Sequence, residues 1–81
     1  MDAHAIARRI EAAFPGARAE VSGEEAHYSA VVTAAVFEGK TRIQQHRMIY
    51  DLFRDEMASQ EIHALALRTL TPSRGGATGA S

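Results

Sequence analysis

Residues 27–70, HYSAVVTAAVFEGKTRIQQHRMIYDLFRDEMASQEIHALALRTL, decide the fold. The stretch opens with two-residue alternation, which puts Tyr28, Ala30, Val32, Ala34 and Val36 on one face of an extended segment from His27 to Val36. Gly39 breaks that pattern, and Thr41 opens a helix. Thr41 and Gln44 have the T-x-x-Q spacing of a capping box, in which hydroxyl and amide each satisfy the other residue's backbone N–H. The helix is expected to run to Ala58, with Ile43, Tyr50, Phe53 and Met57 as its apolar stripe and Ile49 at the edge. Alternation returns from Ile62 to Leu70, with His63, Leu65, Leu67 and Thr69 on one face, until Leu70-Thr71-Pro72 stops it. A strand–helix–strand unit crosses over right-handedly and makes its two strands parallel.

The pattern before residue 27 completes the domain. Ile6, Ile10, Ala13 and Phe14 fall at i, i+4, i+7 and i+8, a single helical stripe, with Asp2 placed to cap the start and Pro15-Gly16 the end. Arg18 to Val21 alternates as a short strand, and Ser22-Gly23-Glu24-Glu25 is turn chemistry. These two strands are expected to pair as an antiparallel hairpin. The order αββαβ predicts an α+β sandwich: a mixed three-stranded sheet with both helices on one face. It occupies residues 1–72. Residues 73–81, SRGGATGAS, contain no large apolar side chain and are expected to form a flexible tail.

Composition narrows the function. Eighty-one residues allow one small domain, and the net charge of −1 argues against a surface built mainly for non-specific phosphate binding. There is no Cys, so disulfides, C-x-x-C redox chemistry and thiolate metal sites cannot come from this chain. The longest apolar stretch, Ala30 to Phe37, is far too short to span a bilayer. The first residues carry Arg8 and Arg9 beside Asp2 and Glu11, with no signal-peptide core. A cytoplasmic domain with no membrane partner is the expectation. No phosphate-binding Gly-rich loop, nucleophile elbow or H-E-x-x-H is present, so no enzyme is predicted. The acidic pairs Glu24-Glu25 and Asp55-Glu56 read as solvated surface.

Three sets of residues remain. His27 begins the second strand and His63 the third, and parallel neighbours start at the same edge of a sheet. Two exposed imidazoles meeting there would form a metal site, the alternative being two ordinary surface histidines. His46 falls within the helical stripe and reads as a packing residue, and His4 as plain surface. Lys40, Arg42, Arg47 and Arg54 cluster around the second helix, either as a nucleic-acid contact surface or as a solvated face with local ion pairs such as Arg47–Asp51. Met48 and Leu52 lie opposite the stripe, a pair of exposed apolar side chains that suggests a partner interface or a homodimer of the isolated chain.

The run VFEGKTRIQQHRMIYDLFRDEM, followed by IHALALRTLTP, resembles the BolA family. Phe37-Glu38-Gly39-Lys40, Gln45-His46-Arg47, His63-Ala64-Leu65 and Thr71-Pro72 fall in the family's order and approximate spacing. Val21-Ser22-Gly23 and His27-Tyr28 are similar to its short-loop bacterial members. The resemblance implies an αββαβ core of class II KH type and two activities. One is partnership with a monothiol glutaredoxin carrying a CGFS motif, the heterodimer bridging a [2Fe-2S] cluster in iron–sulfur trafficking or iron-responsive regulation. The other is DNA binding as a transcriptional regulator, through the second helix and the turn before it.

Under the first activity this Cys-free chain contributes imidazoles, and the thiolates come from the glutaredoxin and its glutathione. Histidine pairs replace cysteine pairs on one iron of Rieske centres. The resemblance puts His63 at the family's His-Ala-Leu ligand position. Longer-loop members carry another His or Cys within the first hairpin loop. Here Ser22 to Ala26 holds neither, and His27 is the nearest substitute. Gln45 stands where the family's Arg-His-Arg signature has its first Arg, and G-x-x-G is absent because Arg42 follows Gly39 by three.

Overall fold

A computed structural model describes residues 1–72 and gives α1 (Ala3–Ala13), β1 (Arg18–Glu24), β2 (His27–Thr33), a 3₁₀ turn (Ala35–Phe37), α2 (Arg42–Leu52), α3 (Arg54–Ala58) and β3 (Ala64–Leu70). The expected tail, residues 73–81, lies outside the described residues. The sheet order is β1-β2-β3, with β1 and β2 antiparallel and β2 and β3 parallel. Both long helices cover the sheet face that carries Ala19, Tyr28, Ala30, Val32 and Leu65. Ile6 and Ile10 of α1 and Ile49 of α2 are fully buried against it. The opposite face, with Glu20, Ser22, Ser29, Ala66 and Arg68, is exposed. This is the predicted α+β sandwich.

Capping follows the sequence. The Asp2 carboxylate accepts from the Ala5 N–H at 2.8 Å. Thr41 and Gln44 close the capping box in both directions, at 2.9 and 3.1 Å. Each cap satisfies a donor that the first helical turn leaves orphaned.

Four expectations are corrected. The second strand stops at Thr33 instead of Val36, because the 3₁₀ turn swings Phe37 into full burial and leaves Val36 41% exposed. Helix α2 ends at Leu52, and Phe53 (φ −116°, ψ 22°) separates it from α3. Ile43 is 70% exposed, while Ile49, expected at the edge of the stripe, is its fully buried centre. Met48 and Leu52 are half-buried and pack on the core, so they do not form the expected exposed apolar pair.

The break at Phe53 is held by Arg9 of α1. Its guanidinium lies 5.0 Å from the centre of the buried Phe53 ring. It donates to the Leu52 carbonyl at 3.1 Å, where the helical ladder is interrupted. It also pairs with Glu56 of α3 at 2.9 Å. One side chain thus ties α1 to both sides of the break. The backbone N–H of Glu56, and then Arg9, hold the Glu56 carboxyl below the usual carboxylate value. A lowered carboxyl pKa stabilises the fold above the ordinary value and stops doing so as pH falls through the folded one. Arg9→Ala is therefore expected to lower the midpoint of thermal unfolding at neutral pH. The gap from the parent protein should narrow in acid, and a gap independent of pH would contradict this.

The hairpin has its own fixed point at Gly23, opposite Tyr28. Gly23 has φ +120°, and a Cβ there would lie 2.2 Å from the His27 carbonyl oxygen and 2.9 Å from the Tyr28 Cα. Both obstacles are backbone, so neither can rotate away. Gly23→Ala is expected to cost about 2–4 kcal/mol of stability. Urea unfolding measures it, and an unchanged midpoint would refute the close approach.

Candidate functional site

The hairpin tip is a two-residue turn, Glu25-Ala26, between the paired Glu24 and His27. Both turn residues have positive φ, 54° and 69°, the requirement of the primed turns that match strand twist. Such turns favour Asn and Gly, and here Glu and Ala adopt them. Left-handed backbone costs an L-residue about 1–2 kcal/mol. The twisted tip aims the Ala26 carbonyl at the start of β3, where it accepts from the N–H of His63 at 2.7 Å and of Ala64 at 3.0 Å.

That junction brings the two histidines together. His27 lies on the open face of the sheet, and alternation continued back from Leu65 would put His63 on the helix face. Residues 61–63 form a bend instead of strand, which frees His63 from the alternation. The two rings meet with centroids 5.1 Å apart and planes tilted by 46°. Both residues are exposed.

Each ring is oriented through the same atom. His27 Nδ1 lies 2.9 Å from the Glu25 carbonyl oxygen, and His63 Nδ1 lies 2.6 Å from Gln60 Oε1. Both oxygens can only accept, so each Nδ1 carries the proton and, in the neutral ring, each Nε2 keeps its lone pair. Neither Nε2 has a hydrogen-bond partner among the described residues. A ring N–H held by an oxygen is the usual outer support of a metal-binding histidine. Two nitrogen donors do not complete a tetrahedral metal site, and no group of three or more His, Cys, Asp or Glu suited to a metal occurs among the described residues. The donor set fits a metal centre whose remaining ligands arrive from another molecule.

Gln60 was not visible as a functional residue in the sequence. It follows α3 with φ 69°, the left-handed position after a helix where Gly is commonest. Glu25, Ala26 and Gln60 are the non-glycine residues of positive φ among those described, and each contributes an oxygen bonded to His27 or His63. Left-handed strain concentrated around one pair of side chains is a signature of a functional site.

The basic residues do not form one surface. Lys40 and Arg42 line a groove between α2 and β3, together with His46 and Arg68, which no sequence spacing groups with them. Arg47 is about 140° around the helix from Arg42. Arg54 pairs with Asp51 at 3.1 Å. Gln45, in place of the family's Arg, bridges this region. Its amide donates to the carbonyls of Phe37 and Lys40, each at 3.0 Å, and accepts from the Thr69 hydroxyl at 2.6 Å. His46 is half-buried at the groove wall, not a core histidine, and His4 is exposed as expected.

The fold and site define a small α+β domain that presents paired imidazoles at one end of a mixed sheet. The chain belongs to the BolA-like protein family, whose model matches residues 3–74. It is 34% identical over 59 residues to BolA-like protein 1 of Mus musculus, covering 73% of this chain and 42% of that protein. To the DNA-binding transcriptional regulator BolA of Haemophilus influenzae it is 40% identical over 50 residues, covering 62% of this chain and 48% of the relative. The matches thus span less than half the length of these two relatives. A solved BolA homologue from Coxiella burnetii superposes with a TM-score of 0.81 at 35% identity, covering 94% of this chain and 97% of that one. No described helix is long and apolar enough to cross a membrane.

Gln60→Gly separates orientation from folding. Glycine is at ease at this φ, so stability is expected to stay within about 1 kcal/mol of the parent. The His63 ring, however, loses the oxygen that selects its tautomer. Nitrogen-15 NMR of the imidazoles is expected to show the Nδ1–H form dominant for both rings in the parent and a tautomer mixture at His63 in the variant. An unaltered His63 pattern would remove Gln60 from this role.

Proposed function

We propose that the chain is a non-enzymatic adaptor that pairs with a monothiol CGFS glutaredoxin and co-ligates a [2Fe-2S] cluster, in iron–sulfur trafficking or iron-responsive regulation. The observation that carries this reading is the exposed His27–His63 pair, 5.1 Å between ring centres, with both Nδ1 atoms engaged and both Nε2 atoms unpartnered. The chain has no thiol of its own. Thiolates would come from the glutaredoxin and from glutathione, leaving nitrogen positions for the imidazoles, a division of ligands that Rieske centres realise within one protein. In this reading His63 is the principal ligand and His27 its companion. The Glu25 carbonyl and the Gln60 side-chain oxygen each hold a ring Nδ1–H, which orients Nε2 away from them, while the Ala26 carbonyl fixes the backbone at His63. The cluster is cargo handed between partners, and the chain's part is to present two oriented nitrogens.

DNA binding is the activity in the name of the Haemophilus relative. Its support here is narrower, because a duplex lying along the groove would meet Lys40 and Arg42 but neither Arg47 nor Arg54. The net charge of −1 supplies no general attraction to phosphate.

Reconstitution of the chain with a CGFS glutaredoxin, glutathione, iron and sulfide tests the adaptor reading through visible circular dichroism. His63→Ala is expected to change the spectrum and to speed cluster loss, with a smaller effect from His27→Ala. Acidification is expected to release the cluster from the parent heterodimer, because a protonated imidazole has no lone pair to donate. Identical spectra for the parent and both variants would reject the pair as ligands.

A further inference from the structure

We infer that the outer edge of β3 receives a short acidic peptide in extended conformation, as a fourth strand of the sheet. Main-chain groups of alternate strand residues point to opposite sides. The Ala64 N–H donates to Ala26 and the Leu70 carbonyl accepts from Ala34, each at 3.0 Å, on the β2 side. Ala64, Ala66, Arg68 and Leu70 therefore bond inward, and Leu65, Leu67 and Thr69 turn their main chain outward. The Leu65 carbonyl accepts from the Tyr50 hydroxyl at 2.8 Å. The backbone N–H and C=O of Leu67 and Thr69 have no partner among the described residues.

These free groups open into the groove between β3 and α2, which has a volume of about 1000 Å³. Unpaired sheet edges attract another strand, and proteins ordinarily cover or blunt them. Here the groove wall is braced instead, because Gln45 fastens the Phe37–Lys40 turn to Thr69. Lys40, Arg42 and Arg68 line the groove against one carboxylate, Glu38. That charge balance selects an acidic occupant. A peptide added to an edge gains main-chain hydrogen bonds for affinity and side-chain contacts for selectivity. The G-x-x-G turn with which KH domains clamp a single-stranded backbone is absent from this groove, because Arg42 follows Gly39 by three. The groove lies toward the far end of β3 from His63, so the inference stands apart from the cluster reading.

The test uses the full chain and a fluorescently labelled short peptide alternating glutamate and valine. Anisotropy is expected to show saturable binding that weakens with salt, and hydrogen exchange at the Leu67 and Thr69 amides is expected to slow on binding. The double charge reversal Lys40→Glu, Arg42→Glu, at two exposed positions, is expected to weaken binding about tenfold or more. Of two peptides N-methylated at alternate residues, the one whose bonding set is blocked is expected to lose binding. The inference is overturned by any of four results: no binding, equal binding of both methylated peptides, unaltered exchange at Leu67 and Thr69, or displacement of the peptide by a single-stranded oligodeoxynucleotide of higher affinity. Sedimentation showing that copies of the chain pair through this edge without peptide would also overturn it.

Discussion

The carbonyl of Ala26 is the joint on which the site depends. It accepts two N–H groups from the start of β3 and does so only because the hairpin tip is wound left-handed. Without that junction β3 would have no fixed beginning, and His63 no reason to lie beside His27. The turn residues carry an unfavourable conformation of about 1–2 kcal/mol each. Three things offset it: the β1–β2 ladder on one side, the β2–β3 ladder on the other, and the glycine at position 23 that lets the two arms of the hairpin close. The strain is therefore local, while its compensation is distributed through the whole sheet.

A second level of control acts on the rings themselves. The sheet places the two backbones, but it cannot choose a tautomer. Glu25 and Gln60 make that choice with oxygens from two different elements, a hairpin turn and a helix terminus. The helix that precedes Gln60 depends in turn on the break at Phe53, and that break is stapled by Arg9. A chain of contacts thus runs from the first helix, through α3, to one imidazole. It is a physical route from core packing to the orientation of that ring.

Much of this architecture is legible in the amino-acid order. Alternation exposes the strands, the Thr41–Gln44 spacing exposes the cap, and strand order makes β2 and β3 parallel with His27 and His63 at one edge. What escapes are features that periodicity does not encode. Ile43 satisfies the helical stripe but sits in the first turn, beyond the reach of the sheet, so it stays in water. Val36 satisfies the strand alternation, yet burying the larger Phe37 ring wins and bends the chain into a 3₁₀ turn. The break at Phe53 has no proline or glycine to announce it. Nor did the left-handed residues Glu25, Ala26 and Gln60 announce themselves, because the usual glycine or asparagine signals are missing there. The oxygens that orient the histidines belong to these three unmarked positions.

The Tyr50 hydroxyl, by occupying the Leu65 carbonyl, also sets where the border of the sheet is open. It removes one acceptor from the outer edge of β3 and leaves the main chain of Leu67 and Thr69 open beyond it. The opening along this border is thereby confined to the end of β3 nearer the Phe37–Lys40 turn, a restriction that a single phenol imposes.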